Sequence, residues 1–288
     1  MSFSSGVKEE LGKQFAKSRH CQLAELAGII EQTGKLDESG SLIIDSDNTV
    51  LITKYALLLK KLFGINVGVT ISREDTQKIL LALKNPKMPI ATCRTDGLII
   101  MQTCCKRAFI RGVFLASGSV SDPNKSYHFE IVCKTQEQAE QIKEILLGFN
   151  TDAKIVERKG HYVVYLKEGE NIVDALNVME AYVSLMKFEN IRILKDMRNA
   201  VNRKVNCETA NISKTVNAAV KQIEDIELIR DKIGLDNLPD NLREIAMLRL
   251  EYPDVALKEL GKYLQPPVGK SGVNHRFRKI AAIAEELE

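Results

Sequence analysis

Two apolar helix patterns, each closing on a glycine, recur about 84 residues apart, and this duplication constrains the fold more than any other feature. The first is Leu23-Ala-Glu-Leu-Ala-Gly-Ile-Ile-Glu-Gln-Thr-Gly34 and the second is Ala108-Phe-Ile-Arg-Gly-Val-Phe-Leu-Ala-Ser-Gly118. Gly28 and Gly112 hold matching places. Small residues (Ala24, Ala27 and Gly28; Gly112, Ala116 and Gly118) let such helices pack closely. After the first pattern come a strand signal at Ser41–Asp45, a helical period through Tyr55–Phe63, and strand candidates at Val67–Ser72 and Lys78–Leu83. After the second come Tyr127–Val132, Thr135–Leu147, Lys154–Glu157 and Tyr162–Leu166 in the same order. Helix signals at Arg94–Met101 and Glu168–Met179 follow the two copies and would cover the sheet. Same-order elements at one offset predict a pseudo-symmetric tandem αββαββ unit.

Both helices resemble those of the LAGLIDADG homing-endonuclease fold, in which the pair forms a central interface and a saddle of strands sits over duplex DNA. The resemblance implies an acidic residue just before each closing glycine, holding divalent metal for phosphodiester cleavage. Here Thr33 and Ser117 occupy those places. Neutral hydroxyls do not replace carboxylates as magnesium ligands. Glu31 lies two residues earlier, about 200° around the helix. Cleavage is therefore not expected.

With 288 residues, the chain has room for a second domain. Leu238–Ala284 reads as a helix-turn-helix on its own residues. Pro239 suits a helix start, and Leu242, Ile245, Ala246 and Leu248 form a buried stripe. Pro253-Asp254 breaks that helix, and Asp254 is suited to cap the next, whose face is Leu257, Leu260 and Leu264 with Gly261 inside it. Gln265–Gly269 is a turn. Ser271 is placed to cap a third helix with Val273, Phe277, Ile280 and Ala284 inward. The other face displays Asn274, His275, Arg276, Arg278 and Lys279, with Lys270 and Ser271 at the entrance, and these seven are the expected DNA-binding residues. Arginine and asparagine pair bidentately with guanine and adenine edges, and lysine neutralises phosphate. The alternative is a solvated face of a three-helix bundle. His275 reads equally as a base contact or as a plain surface residue.

Net charge is only +3, so the distribution of charge carries more than the total. Lys262–Ile280 holds five Lys or Arg and no acid, and Lys187–Gln222 holds eight against three acids. Lys187–Gly234 lacks proline and predicts two long helices. Arg192, Lys195, Arg198, Asn199, Asn202, Arg203 and Asn206 share much of one face there. That face reads as a second phosphate surface, an interdomain dock, or ordinary solvated helix. Thr209–Gly234, with Ile212, Val216 and Ile226, reads as amphipathic.

Whole-chain motifs resemble the WhiA family of bacterial regulators: Arg111–Pro123 with Lys125–His128, Lys195–Asn199, Val201–Arg203, Val205–Asn211, Gly234–Pro239 and Lys270–Arg276. The resemblance implies a degenerate LAGLIDADG domain joined to a sigma-region-four-like helix-turn-helix. It also implies a role in transcription, sporulation or cell division. The expected fold is thus α+β at residues 1–182 (repeats 18–102 and 103–182), a helical linker at 183–236, and an all-α DNA-binding domain at 237–288. Promoter DNA is the expected partner, with transcription machinery or another regulator as a second. The competing functions are a magnesium-dependent nuclease and a protein-interaction scaffold whose DNA contacts lie only in the tail.

No apolar run reaches the ~20 residues of a membrane span, and the N-terminus lacks signal-peptide regions. A cytoplasmic, nucleoid-associated protein is expected. Cysteines at positions 21, 93, 104, 105, 133 and 207 form no C-x-x-C pair. With four histidines scattered along the chain, they read as reduced small hydrophobes, so no metal and no cofactor is expected. His20 reads as a helix-entry residue, and His128 and His161 as structural. No nucleophile–base–orienter set, phosphate loop or dinucleotide fingerprint is present, so no catalytic residue is assigned.

Overall fold

A computed structural model describes residues 2–66, 71–84 and 94–287, which divide into two compact units, Met1–Asp196 and Met197–Glu288. The first is α+β and the second all-α.

At the centre of the first unit α2 (Arg19–Thr33) packs along α5 (Thr103–Ser117). The two glycines explain the closeness of the seam. A Cβ on Gly112 would stand 2.1 Å from the Glu25 carbonyl oxygen, and one on Gly28 would stand 2.6 Å from that of Phe109. Backbone meets backbone there. Beside the seam lies a buried ionic cluster that the sequence reading missed. Glu25 accepts from Lys54 Nζ at 3.0 Å and Arg111 Nε at 2.9 Å, all three side chains being almost fully buried. Arg111 also reaches Glu180 at 2.9 Å, and Lys54 donates to the Leu11 carbonyl at 3.2 Å.

The second repeat follows the expected order. Strand β3 (Gly118–Val120) pairs with β4 (Phe129–Cys133), then α6 (Gln136–Leu147) leads to β5 (Lys154–Arg158), β6 (His161–Leu166) and α7 (Gly169–Val178). The four strands form an antiparallel sheet in the order β3-β4-β6-β5. Along β4, Phe129, Ile131 and Cys133 are buried while Glu130 and Val132 are half-buried, the two-residue period of a one-sided core strand. A capping box, Thr135 with Gln138, starts α6.

The first repeat departs from it. Strands β1 (Gly34–Leu36) and β2 (Leu42–Ile44) pair antiparallel, and α3 (Thr49–Phe63) follows, capped by the Asn48 side chain. Where a Lys78–Leu83 strand is expected, helix α4 (Arg73–Ala82) runs through to Ala82 and Leu83 caps it. Ser72 caps Asp75 N, acids fill the first turn, and Thr76, Ile79 and Leu80 bury at helical spacing. Of the expected Val67–Ser72 strand, residues 67–70 lie outside the described residues, and the Ile71 N–H donates to the Leu42 carbonyl at 3.2 Å. Turns occupy 97–100, where a helix was expected. An unexpected helix α1 (Phe3–Lys13), capped by Ser2, sinks Val7 and Leu11 into the core against α3 and α5.

One continuous helix α8 (Tyr182–Lys232) replaces the two expected over Lys187–Gly234. No glycine or proline interrupts it, and its asparagines, serines and threonines each cost only tenths of a kcal/mol in helix, about 0.7 at most. It ends at Lys232, just before Gly234, whose φ of 79° favours a residue without Cβ. Ile226 and Ile229 pack into the second unit's core, whereas Ile212 and Val216 stay exposed. After a 3-10 turn (Leu235–Asn237) come α9 (Asp240–Glu251), the single-turn α10 (Leu257–Leu260) and α11 (Lys270–Leu287). Among the described residues, no helix is long and apolar enough to cross a membrane.

Candidate nucleic-acid interface

Helix α11 is seated by its apolar stripe, Val273, Phe277, Ile280 and Ala284, all buried as the period predicts. Helix α10 starts after Ala256 rather than Asp254, and α11 starts at Lys270, so Ser271 lies within its first turn instead of capping it. Gly261 closes the α10–α11 connection: a Cβ there would meet the Val268 carbonyl oxygen at 2.1 Å, and the Val268 N–H donates to Gly261 O at 2.9 Å. Arg249 braces the assembly from beneath. Almost fully buried, it donates to the carbonyls of Tyr252, Pro253 and Val255 at 3.4, 3.1 and 2.7 Å and lies 5.4 Å from the Phe277 ring centroid. Burial lowers its pKa, with Asp254 opposing. Sequence reasoning missed it because an arginine at the edge of a stripe looks like a surface residue.

Helical geometry sorts the remaining side chains, at about 100° per residue. Ser271, His275, Arg278 and Lys279 point away from the stripe and are exposed. Asn274 and Arg276 flank it, each half-buried. Arg276 is engaged with α9: its Nη1 donates to the Asn241 carbonyl at 3.2 Å and stands 3.6 Å from Glu244 Oε2. Glu244 also accepts from the Gln265 N–H at 3.2 Å. Arg276 therefore helps fix the angle of α11. Among the described residues, Lys270, His275, Arg278 and Lys279 make no ion pair. A cavity of about 330 Å³ opens beside the start of α11, and Lys214, Lys258 and Lys270 line it together with Gln222 and Leu257. Its three ammonium groups suit an anion.

Arg192 and Lys195 are held within the first unit. Arg192 pairs with Glu189 at 2.6 Å, a bond that raises its pKa further, and Lys195 donates to the Pro123 carbonyl at 2.7 Å above the Tyr127 ring. Arg198, Asn202 and Arg203 are exposed on the following turns of α8. The expected face is thus split between a braced pair and an open trio.

At the C-terminal ends of α2 and α5 the hydroxyls turn inward. Thr33 Oγ1 donates to Ile29 O at 2.7 Å, and Ser117 Oγ lies 3.3 Å from Gln32 Oε1 and 3.4 Å from Val113 O. Glu31 points elsewhere, its Oε2 accepting from the Thr95 N–H at 2.9 Å and from the Thr95 hydroxyl. Burial pushes its pKa up to about 7.

Two family models match the chain: the WhiA LAGLIDADG-like domain over residues 106–198 and the WhiA C-terminal HTH domain over 201–284. A probable cell division protein WhiA from Lachnoclostridium phytofermentans is 51% identical over all of this chain and 99% of its own length. The chain belongs to the WhiA family. A second WhiA relative, from Lachnospira eligens, is 49% identical over all of this chain and 98% of its own. Among solved structures, full-length WhiA from Thermatoga maritima aligns over 99% of both chains, with a TM-score of 0.63 and 27% identity. The WhiA architecture, an α+β LAGLIDADG-like unit followed by an all-α helix-turn-helix unit, is the one described above.

One expectation needs correction. In sequence the histidines and cysteines read as too scattered to meet, but one histidine and three of the cysteines do come together in space. The fold gathers His20, Cys21, Cys104 and Cys105, their ligand atoms all within 4.8 Å of one another. The signal was available: positions 20 and 21 map onto 104 and 105 through the same offset that aligns the glycines. Cys93 lies outside the described residues.

Proposed function

We propose that this WhiA-family chain is a sequence-specific regulator that binds promoter DNA, acts in cell division, chromosome segregation or sporulation, and does not cleave phosphodiesters. The supporting observation is the outward face of α11, where Ser271, His275, Arg278 and Lys279 stand exposed beside Lys270 on a helix fixed by its buried stripe, Arg249 and Arg276. Such a helix enters a major groove with its first turns, where arginine reads base edges and lysine neutralises phosphate. Asn274, at the flank, reaches the groove edge in this reading, and Arg198, Asn202 and Arg203 supply further backbone contacts. The neutral Thr33 and Ser117 support the non-catalytic part. The relatives' printed description as cell division proteins supports the cellular role. Action at promoters places the protein on the nucleoid, with transcription machinery or another regulator as partner.

Fluorescence anisotropy of full-length protein on genomic promoter duplexes, repeated across salt, tests this. The double variant Arg278→Ala with Lys279→Ala should weaken binding and flatten the log–log salt slope by about 1–2, near 0.9 per lost phosphate contact. An unchanged slope refutes the α11 mechanism. Incubating supercoiled plasmid with magnesium should yield no nicks, and nicking by the purified protein overturns the non-catalytic reading.

A further inference from the structure

We propose that His20, Cys21, Cys104 and Cys105 form a structural site for one tetrahedral, thiophilic divalent cation, with zinc the ion this donor set selects. His20 and Cys21 sit in the first turn of α2, and Cys104 and Cys105 in the first turn of α5. The close pairing of these helices brings both starts together. His20 Nδ1 is 3.1 Å from Cys105 Sγ and 3.4 Å from Cys21 Sγ. Around zinc, with bonds of about 2.3 Å to sulfur and 2.0–2.1 Å to nitrogen, tetrahedral edges come to about 3.6 Å for N···S and 3.8 Å for S···S. The four atoms span no more than 4.8 Å, so closing on an ion requires movements of about 1 Å or less. Three sulfurs and one imidazole favour zinc over magnesium or calcium, which take oxygen.

Charge balance agrees. Three thiolates and a neutral imidazole around a dication leave a net charge of about −1, which two converging helix N-termini stabilise. Neither first turn carries an acid, and neither N-cap, Ser18 or Gln102, makes a side-chain capping bond that would compete for the field. Cys21 and Cys105 are buried while His20 and Cys104 are exposed, giving an ion a route in and a closed inner half-shell.

This centre is distinct from the nuclease metal position. Thirteen residues of helix, about 20 Å, separate Cys21 from Gly34, so the ion would lie at the opposite end of the seam from Thr33 and Ser117. Its role would be to clamp one repeat to the other.

Full-length protein purified under reducing conditions should carry close to one zinc per chain by plasma mass spectrometry. After metal removal it should take up Co(II) with the intense visible bands of a tetrahedral thiolate complex. Cys104→Ser and His20→Ala, both at exposed positions, should weaken Co(II) affinity at least tenfold and shift those bands, with far-UV circular dichroism unchanged. Cys21→Ser with Cys105→Ser should abolish them, and Cys207→Ser on α8 should change nothing. Failure of fully reduced protein to bind either ion at micromolar excess, an octahedral cobalt spectrum, or bands indifferent to Cys104→Ser and His20→Ala would each overturn the proposal. So would a Cys21–Cys105 disulfide that, once reduced, leaves a protein without metal affinity.

Discussion

Replacing Gly112 with alanine tests whether α2 and α5 meet backbone to backbone. The new Cβ would stand 2.1 Å from the Glu25 carbonyl oxygen and 3.0 Å from its carbonyl carbon. Relaxed contacts between such atoms need about 3.5 Å, so the helices would have to part by more than about 1 Å. No rotamer change relieves this, because a methyl has no rotamers and the atoms it meets are all main chain. Overpacking a core costs about 1–3 kcal/mol, and a collision along a rigid seam belongs at the upper end. Alanine recovers about 1 kcal/mol of helix propensity, leaving an expected net loss of about 2 kcal/mol. Gly6 provides the matched control. It lies in α1 with nothing within 4 Å of a built Cβ, so Gly6→Ala should raise stability by about 0.5–1 kcal/mol. Urea unfolding followed by far-UV circular dichroism suits a chain without tryptophan. At a slope of about 2 kcal/mol per molar urea, the Gly112→Ala midpoint should fall by about 1 M. Should that midpoint match or exceed wild type while Gly6→Ala behaves as expected, the seam is not set by the glycine.

Glu25→Gln should cost about 3–5 kcal/mol in the same assay, because it leaves buried Lys54 with no anion and buried Arg111 with only Glu180; adding Lys54→Met should return part of the loss, and no recovery would argue against the charge account. Glu31 predicts a pH dependence of definite sign. With its pKa near 7 when folded and 4.5 when free, the folded state holds a proton that the unfolded chain has released. The stability this contributes is full below about pH 4.5 and disappears as pH rises through about 7, an effect of about 3 kcal/mol at about 1.4 kcal/mol per pH unit. Glu31→Gln should lack that decline between pH 5 and 8, and parallel wild-type and variant profiles would refute it.

The second repeat was legible because its signals are local and redundant: the capping box at Thr135, the alternation along β4 and the helical period of α6 agree with one another. Lys78–Leu83 is ambiguous in sequence because a short apolar run fits either period, and the deciding feature is the Ser72 cap upstream. The stripe of α11 was plain, yet the α9 partners of Arg276 were not, since periodicity gives a face and never the neighbour across it. Glu25 and Arg111 both lie inside the quoted motifs, but pairing two charges 86 residues apart needs the helix register that only packing supplies. The cysteine–histidine cluster was legible in principle through the repeat offset. It was passed over because metal spacing rules assume ligands near one another in sequence.

The ionic cluster also tells the two halves of the duplication apart. Through the repeat offset, Glu25 corresponds to Phe109 and Arg111 to Ala27, so neither charge has a copy of itself across the seam. If the leading halves of two chains met each other, the acid would face alanine; if the trailing halves met, the guanidinium would face a phenyl ring. Each mismatch would leave Glu25 with Lys54 alone and Arg111 with Glu180 alone, each buried charge short of the partner that now faces it across the seam. Fusion into one polypeptide permitted this one-sided arrangement, which a true homodimer would have had to make twice, and it gives each half an address that only the other can answer.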